Sequence, residues 1–294
     1  MTAAAVAAAV AVACAHGLTS TDPVVLNDGV NCVVHLRPAP VVARVATYTP
    51  LLRPAVEVPF AREVALATAL TDLGAAVVPP SDLLPPGPHR HDGLTLSFWR
   101  HVRVLPDQPG PEVAGRCLAE LQVALAHVRP DPATRPLDRV LDDLAEFGRR
   151  GTDLGADPGR VAAVGDLVGR LLPRLTGEPG TLHGDAHPGN LLATPAGWRW
   201  TDLEDTSAGP RAWDLATLRT TGRLDGRAAL DAMPDPVPDA ELAPFTWLRR
   251  LHAAAWWAVH AVREPDHGPA ARDRLAAAVA EVSAGLAAAP RGRG

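Results

Sequence analysis

Carboxylate, amide and imidazole side chains that are able to do chemistry are concentrated in one segment of the chain. Residues 181–215 read TLHGDAHPGNLLATPAGWRWTDLEDTSAGPRAWDL. Asp185 closes a His-Gly-Asp triplet, Asn190 follows five residues later, and Asp202 lies twelve residues beyond Asn190. A carboxylate accepts a proton from a hydroxyl group, and carboxylate and amide oxygens are ligands that Mg²⁺ prefers. The segment therefore predicts proton transfer beside a bound magnesium ion.

The order and spacing of these residues indicate which reaction they serve. His183, Asp185 and Asn190 stand in the pattern H-x-D-x-x-x-x-N, which is typical of enzymes that transfer the γ-phosphate of ATP. In that pattern the aspartate orients and deprotonates the acceptor hydroxyl, while the asparagine and a later aspartate, here Asp202, hold magnesium. The proton moves late in a loose transition state, so an ordinary aspartate pKa near ~3.9 is sufficient.

A predicted β-hairpin brings the two magnesium ligands together. The apolar segments 191–193 and 198–203 are separated by four residues, Thr-Pro-Ala-Gly, that favour a turn. Pairing the last residue of the first segment with the first residue of the second puts Asn190 opposite the residue before Asp202. The oxygens of these two side chains therefore become neighbours and are able to share one ion.

Three motifs of this segment together resemble the aminoglycoside phosphotransferases and their relatives, the choline, ethanolamine, homoserine and fructosamine kinases. The family pattern is H-G-D-x-x-x-x-N, then a hydrophobic residue followed by Asp, then G-x-x-x-x-D-L. These motifs are found here at residues 183–190, 201–202 and 209–215. The resemblance covers the whole two-lobe plan and implies an α+β, two-lobed protein-kinase-like fold, with a β-rich N-lobe and a mainly helical C-lobe.

The same resemblance implies a small-molecule kinase, which moves phosphate to an alcohol group of a small hydroxyl acceptor. ATP, with GTP as an alternative, would be the donor, and Mg²⁺ would be the metal. Asp185 would act as the catalytic base, and Asn190 and Asp202 would bind the metal. His183 and Asp214 would support the catalytic loop without contacting the substrate.

The resemblance also implies a nucleotide-binding role for residues in the first third of the chain. Gly29 belongs to a hairpin that would cover the nucleotide, and it is the only glycine where relatives have a glycine-rich loop. Arg44 lies on the following strand and Glu63 on the helix after it. Trp99 and His101 lie in the segment that would form the hinge on the adenine side.

The chain contains no lysine, so all 28 side chains counted as lysine plus arginine are arginines. A P-loop requires a lysine after its glycines, and Schiff-base or pyridoxal chemistry requires a lysine amine, so these classes are excluded. Arg44 stands where the kinase pattern V-A-I-K has its lysine, and we expect it to pair with Glu63 and to contact the ATP phosphates. The alternative is that Arg44 is a solvated strand residue.

The motif residues also allow other readings. His183, Asp185 and His187 form H-x-D-x-H, which is able to ligate zinc in a metal-dependent hydrolase. A nucleotide-binding pseudokinase module is a further alternative, supported only by the sparse glycine loop and the missing lysine. Glu204 and Asp205, which follow the predicted metal ligand, are expected to be solvated, the alternative being a direct role in metal binding.

The elements that position these residues change in character along the chain. Segments 24–26 and 31–36 flank an Asn-Asp-Gly turn, and the β-branched run 41–46 continues them as a third strand. A helix is predicted over 59–70, with Glu63 on its apolar face, and an extended stretch over 94–104. Later apolar patterns predict helices at 113–128, 137–149, 161–175 and 241–262. The lobe boundary is placed so that residues 1–103 form the N-lobe and residues 104–294 the C-lobe.

Composition and charge limit the remaining classes of function. A length of 294 residues is sufficient for two lobes. The net charge is −5 and basic residues are scattered, which indicates neither nucleic acid nor a membrane as partner. Cys14, Cys32 and Cys117 lie far apart, which favours reduced thiols and a cytoplasmic location. Residues 2–15 are interpreted as an ordinary N-terminal helix, since no Lys or Arg precedes this apolar run as a signal peptide requires. The alternative is a lipoprotein or secretory signal that ends near Cys14.

The helical segment 245–262 predicts the character of the acceptor. It contains three tryptophans and no carboxylate, and its basic residues are Arg249, Arg250, His252 and His260. A polycationic aminoglycoside requires carboxylates to offset its charge, so we expect an acceptor that is not highly cationic. The alternative is that this helix faces solvent or core and that the acidic residues of 231–241 line the acceptor pocket.

Overall fold

The computed structural model describes residues 1–130 and 134–289 of the chain. The helices in these residues are α1 (Thr2–Ala15), α2 (Glu57–Asp72), α3 (Pro111–Leu125), α4 (Asp138–Arg150), α5 (Pro158–Leu171), α6 (Ala212–Arg219), α7 (Gly226–Asp231), α8 (Asp239–Arg263) and α9 (Gly268–Ala288). The strands are β1 (Asp22–Asp28), β2 (Asn31–Arg37), β3 (Val41–Ala46), β4 (His89–His91), β5 (Leu94–Arg100), β6 (Pro179–Thr181), β7 (Leu191–Thr194), β8 (Gly197–Trp200) and β9 (Ala208–Pro210). The β-rich first third and helical remainder confirm the predicted α+β class.

One antiparallel sheet occupies the first hundred residues, with strand order β1-β2-β3-β5-β4. β1 and β2 form the expected hairpin, but Asn27 and Asp28 extend β1, so only Gly29 and Val30 connect the two strands in place of the predicted Asn-Asp-Gly turn. Strand β3 covers the predicted run 41–46. Helix α1 buries Ala5 and Ala9 in a cluster with Val34 and Phe98 of the sheet. The alanine-rich N-terminal segment is therefore a packed helix of this region.

Helix α2 joins the sheet to the rest of the molecule. It is longer than the predicted segment 59–70 by two residues at each end, and its buried face follows a helical period. Leu66 and Leu70 on that face share one hydrophobic cluster with Leu118 and Trp200 from the second half of the chain. Glu63 lies on the same buried face, so this carboxylate is held at the junction of the two regions.

The second half of the chain packs its helices around a separate hydrophobic core. Helix α8 crosses this region and buries Leu248, Leu251, Ala255 and Val259 in that core. These four residues follow one another at helical spacing, so the residues between them lie on a different face. That second face of α8 is turned toward the cleft described below.

The β7–β8 hairpin has the predicted register, since Ala193 pairs with Trp198. Both strands extend one residue further into the turn than expected, which leaves a two-residue connection in place of the predicted four. Strand β8 ends at Trp200 and not at residue 203. The reason is local: Asp202 has φ +63°, which a continuing strand does not allow.

Other differences concern elements with weaker sequence signals. Strands β4, β6 and β9 and helices α6, α7 and α9 were not predicted. The proposed lobe boundary at 103/104 falls in the segment without helix or strand between β5 and α3, and the division there stays a prediction. All three cysteines are free. Among the described residues, no helix has both the length and the apolar character that a membrane crossing requires.

Candidate active site

Asp214, on helix α6, holds the backbone of the His-Gly-Asp triplet. One of its carboxylate oxygens accepts from the N–H of His183 and the other from the N–H of Gly184, each at 2.9 Å. Gly184 has φ +92° and approaches the carbonyl of Asp205 so closely that a Cβ would not fit. Burial raises the pKa of Asp214, while His183 and the two N–H groups oppose that effect. His183 and Asp214 thus lie behind the loop, where supporting residues are expected.

Asp185 projects from this loop with both carboxylate oxygens engaged. Its Oδ1 accepts from Nη2 of Arg249 at 2.6 Å, while Oδ2 lies 3.2 Å from Nδ2 of Asn190 and 3.3 Å from Nε2 of His187. Burial alone would raise the pKa of Asp185, but Arg249 and the neighbouring histidines outweigh it and hold the pKa well below its usual range. The carboxylate is therefore ionised, which is the state that accepts a proton.

The predicted metal ligands lie on the hairpin as the register requires. Thr201 donates its N–H to the carbonyl of Asn190 at 2.9 Å, which sets Asn190 beside Asp202. Asn190 donates through Nδ2 to the backbone carbonyl of Asp185 at 2.9 Å and so keeps its amide oxygen for another partner. Oδ1 of Asp202 is buried and accepts no hydrogen bond from the described residues, although Nη1 of Arg44 lies 3.3 Å from it as an ion-pair partner. One carboxylate oxygen and one amide oxygen fit the hard-ligand preference of Mg²⁺.

Arg44 is buried and pairs with Glu63, as the sequence predicted. Its Nη1 donates to Oε1 of Glu63 at 2.5 Å, and its Nη2 contacts Glu204. The guanidinium also lies over the ring of Phe60, at 4.6 Å from the centroid. Oε1 of Glu63 accepts a second bond from the N–H of Leu203 at 3.0 Å. Burial raises the pKa of Glu63 to about 7 even though Arg44 opposes the shift, and the reading of Arg44 as a solvated strand residue is wrong.

Arg53 is a buried site residue that the sequence did not reveal. It donates through Nε and Nη2 to Asp143 at 3.0 and 2.6 Å, lies 3.2 Å from Glu204, and contacts Asp205. Asn31 also donates to Glu204 at 3.1 Å. The prediction that Glu204 and Asp205 are solvated is wrong, because both are buried against arginine. No local pattern marks Arg53, since its partners come from distant parts of the chain.

Asp185 and Asp202 face a common cavity of about 360 Å³. Val30, next to the tip of the β1–β2 hairpin, lines it from the sheet side. Helix α8 forms the opposite wall with Arg249, His252, Trp256, Trp257 and His260. The helix predicted to wall the acceptor pocket therefore does line the cavity that Asp185 faces.

The alternative acidic lining of this pocket is wrong. None of residues 231–241 lines the cavity around Asp185. Asp239 instead pairs with Arg219 at 2.7 Å and Asp231 with Arg227 at 2.8 Å. The acidic side chains at these two positions are thus already compensated by arginines.

The remaining nucleotide-side residues occupy different surroundings. Gly29 lies in the hairpin whose neighbouring residue Val30 reaches the cavity. Trp99 is buried and donates its indole N–H to Ser97, while the ring of His101 stacks on another histidine at 3.8 Å. Neither of these two side chains lines the cavity around Asp185. The role of Gly29, Trp99 and His101 as nucleotide contacts stays a prediction.

The histidines of the triplet region do not converge on a metal site. His183 is fully buried, its ring packs edge-on against Trp200, and its Nδ1 accepts from the N–H of Asp185 at 3.3 Å. His187 instead uses its Nδ1 to accept from the N–H of Gly189 at 2.9 Å. Among the described residues, no group of three or more His, Cys, Asp or Glu side chains is arranged to hold a metal ion. The geometry therefore does not support the zinc hydrolase reading.

Solved structures with the same fold support this description. The microcompartment-associated aminopropanol kinase is 18% identical, with a TM-score of 0.68 over 94% of this chain and 96% of that chain. Choline kinase LicA from Streptococcus pneumoniae is 15% identical, with a TM-score of 0.57 over 88% and 93%. The GDP complex of aminoglycoside 2'-phosphotransferase-IIIa is 17% identical, with a TM-score of 0.59 over 90% and 94%. At these identities the likeness shows the fold, which is the predicted two-lobed, protein-kinase-like one.

Sequence comparison gives the family. No curated protein sequence matches the chain significantly. The model of the APH family, described as the phosphotransferase enzyme family, matches residues 33–235. The matched region contains Arg44 and Glu63 as well as the whole segment from His183 to Asp214. The chain therefore belongs to the phosphotransferase enzyme family APH and is a small-molecule kinase.

Proposed function

We propose that the enzyme transfers the γ-phosphate of ATP to a hydroxyl group of a small molecule, with Asp185 as the base. The observation that carries this proposal is the shared setting of Asp185 and Asp202, which line one cavity while Asn190 bonds to the first and neighbours the second. A base on one side and metal ligands on the other is the arrangement that phosphoryl transfer requires. The GDP bound in the similar 2'-phosphotransferase supports a nucleotide donor, with ATP and GTP as the two candidates.

Asp185 acts in this proposal by position and by charge. Each carboxylate oxygen has two lone-pair sites, so Oδ1 is able to accept a hydroxyl while Arg249 remains bound to it. The low pKa of Asp185 keeps the group ionised, and the proton reaches it late, when the new P–O bond is already forming. Asn190 donates a hydrogen bond through Nδ2 to Oδ2 of Asp185, and this bond limits rotation of the carboxylate. Asp185 therefore orients the attacking oxygen and then receives its proton.

The charged residues on the nucleotide side set where the phosphates lie. Asn190 and Asp202 would hold Mg²⁺, which offsets the charge of the phosphates when it is bound. Arg44 keeps the positive charge that a strand lysine supplies in kinases, and Glu63 fixes its orientation. We infer that an N–H of the Arg44 guanidinium contacts the phosphates at the mouth of this site. Val30, which follows Gly29 in the β1–β2 hairpin, lines the same cavity.

The test is nucleotide consumption by the purified enzyme with a library of hydroxyl acceptors. Asp185→Asn keeps the shape of the side chain but removes the proton acceptor, and general-base catalysis contributes roughly 10²–10⁴-fold. We expect turnover to fall by about that factor, while folding and nucleotide affinity stay near those of the wild type. Asp166→Asn, at an exposed position of helix α5, is the matched control. Near-normal turnover in Asp185→Asn refutes the assignment, and nucleotide binding without transfer in the wild type supports the pseudokinase reading.

A further inference from the structure

A second cavity, of about 470 Å³, adjoins the one that contains Asp185. The two cavities share His187, Arg223, Arg249 and Trp257 among their lining residues. Arg249, which is bonded to Asp185, lines both cavities. A molecule whose hydroxyl lies at Asp185 therefore has room to extend into the second cavity.

The second cavity is strongly basic. Its lining residues include the arginines Arg223, Arg249, Arg250 and Arg274. The only carboxylate among its lining residues is Glu281, which lies 2.8 Å from Nε of Arg250 and so compensates that arginine. Arg249 is compensated by Asp185 in the same way. Two of the four positive charges therefore have carboxylate partners.

The other two arginines have no acidic partner among the residues that the structure describes. Arg223 and Arg274 form no ion pair with any residue of the ranges 1–130 and 134–289. The guanidinium carbon of Arg274 lies over the ring of Trp257, 4.1 Å from its centroid. A guanidinium group presents its N–H donors in a planar fork, which is able to bind a carboxylate or phosphate bidentately.

A concave surface lined by arginines distinguishes acceptors by their charge. A concave surface lined by one sign of charge raises the local concentration of the opposite ion and repels the same sign. A cationic acceptor would place its charge beside uncompensated guanidinium groups, which costs binding energy. An anionic group would meet two arginines whose charge nothing else in the described chain offsets.

We propose that the acceptor is a small hydroxy compound that carries an anionic group, a carboxylate or a phosphate monoester, bound by Arg223 and Arg274. This inference rests on the proposed function, because it assumes that the hydroxyl lies at Asp185. The hydroxyl oxygen forms a bond to the γ-phosphorus of ATP, the bond from that phosphorus to the bridging oxygen breaks, and ADP leaves. The hydroxyl proton passes to the carboxylate of Asp185 and then to solvent.

The test uses four probes with one three-carbon hydroxylated skeleton: glycerate, glycerol phosphate, glycerol and aminopropanediol. Calorimetry with Mg²⁺ and a non-hydrolysable ATP analogue measures their affinities. We expect at least one of the two anionic probes to bind about tenfold or more tighter than glycerol, with aminopropanediol the weakest, as charge-assisted hydrogen bonds predict. The affinity of glycerate compared with that of glycerol phosphate shows whether the site prefers a carboxylate or a phosphate group. Equal or tighter binding of glycerol or aminopropanediol overturns the inference.

Variants assign the effect to the two arginines. Arg223→Gln and Arg274→Gln, both at exposed positions, should each reduce the ratio of anionic to neutral affinity about tenfold, and Arg170→Gln on helix α5 should leave it unchanged. Unchanged ratios in both variants refute the site. Turnover is measured separately with the same probes and ATP. Tight anion binding without nucleotide consumption contradicts the proposed function but supports the anion site. Turnover with a preference for neutral or cationic probes supports the proposed function but contradicts the anion site.

Discussion

Arg249 of helix α8 donates a hydrogen bond through Nη2 to Oδ1 of Asp185 at 2.6 Å, so the proposed base forms an ion pair with this helix. The same helix lines the cavity that Asp185 and Asp202 face. The residue that lowers the pKa of Asp185 therefore belongs to the wall that we propose receives the acceptor. This coupling between base and wall has a measurable consequence for the pH dependence of the enzyme.

Arg249→Gln should shift the acidic limb of the pH profile of kcat/KM. Burial favours a raised pKa for Asp185, and Arg249 is the largest influence against it, so its removal raises the pKa. Asp185 accepts a proton only when it is ionised, above its pKa, and the limb should therefore move to higher pH. Profiles of the wild type, Arg249→Gln and the control Arg170→Gln measure this shift. An acidic limb at the same pH in all three proteins shows that Asp185 does not govern it.

Asp202→Ala should abolish magnesium-dependent nucleotide binding. The change removes the only carboxylate in the proposed Asn190–Asp202 pair, and the nearby Glu204 is already engaged by Arg44 and Arg53. Calorimetry of the ATP analogue with and without Mg²⁺ provides the measurement. We expect the magnesium-dependent part of the affinity to disappear, whereas in Asp166→Ala it should persist. Retained magnesium dependence in Asp202→Ala would place the metal elsewhere.

Arg44→Ala should weaken nucleotide use at least about tenfold, equivalent to about 1.4 kcal/mol. The variant loses the proposed phosphate contact and leaves Glu63 buried without its cation. Arg44→Lys restores one charge and should retain measurable activity. The matched control is Arg90→Ala, an exposed arginine on strand β4 of the same sheet. Steady-state kinetics with varied ATP test this, and a KM for ATP equal to that of the wild type in Arg44→Ala means that other groups hold the phosphates.

Asp214→Ala should destabilise the fold as well as the loop. The carboxylate accepts from two buried N–H groups, and each donor left unsatisfied costs about 1–3 kcal/mol. We expect the free energy of unfolding in urea to fall by about 2–6 kcal/mol. Asp166→Ala, at an exposed position, should change it by less than about 0.5 kcal/mol. Equal denaturation midpoints for Asp214→Ala and the wild type would contradict the supporting role of Asp214.

Local patterns in the sequence were sufficient for much of the site. The sequence predicted the pairing of Ala193 with Trp198, and this pairing sets Asn190 beside Asp202. Both relations depend on short spacings and on one turn. The V-V-A-R run likewise placed Arg44 on a strand, and the apolar face of α2 required a partner for Glu63. These relations hold within one element or between neighbours, where spacing and periodicity decide geometry.

Only the tertiary structure decided which distant charges meet. Arg53 lies between Asp143, Glu204 and Asp205, and Arg249 binds Asp185, although no spacing connects these residues. Helical periodicity assigns a residue to a face, but the packing of the whole helix decides what that face meets. The sequence by itself determined which residues of 183–214 lie near one another and predicted their chemistry. The fold determined their electrostatic surroundings, because a long-range ion pair depends on where every intervening element packs.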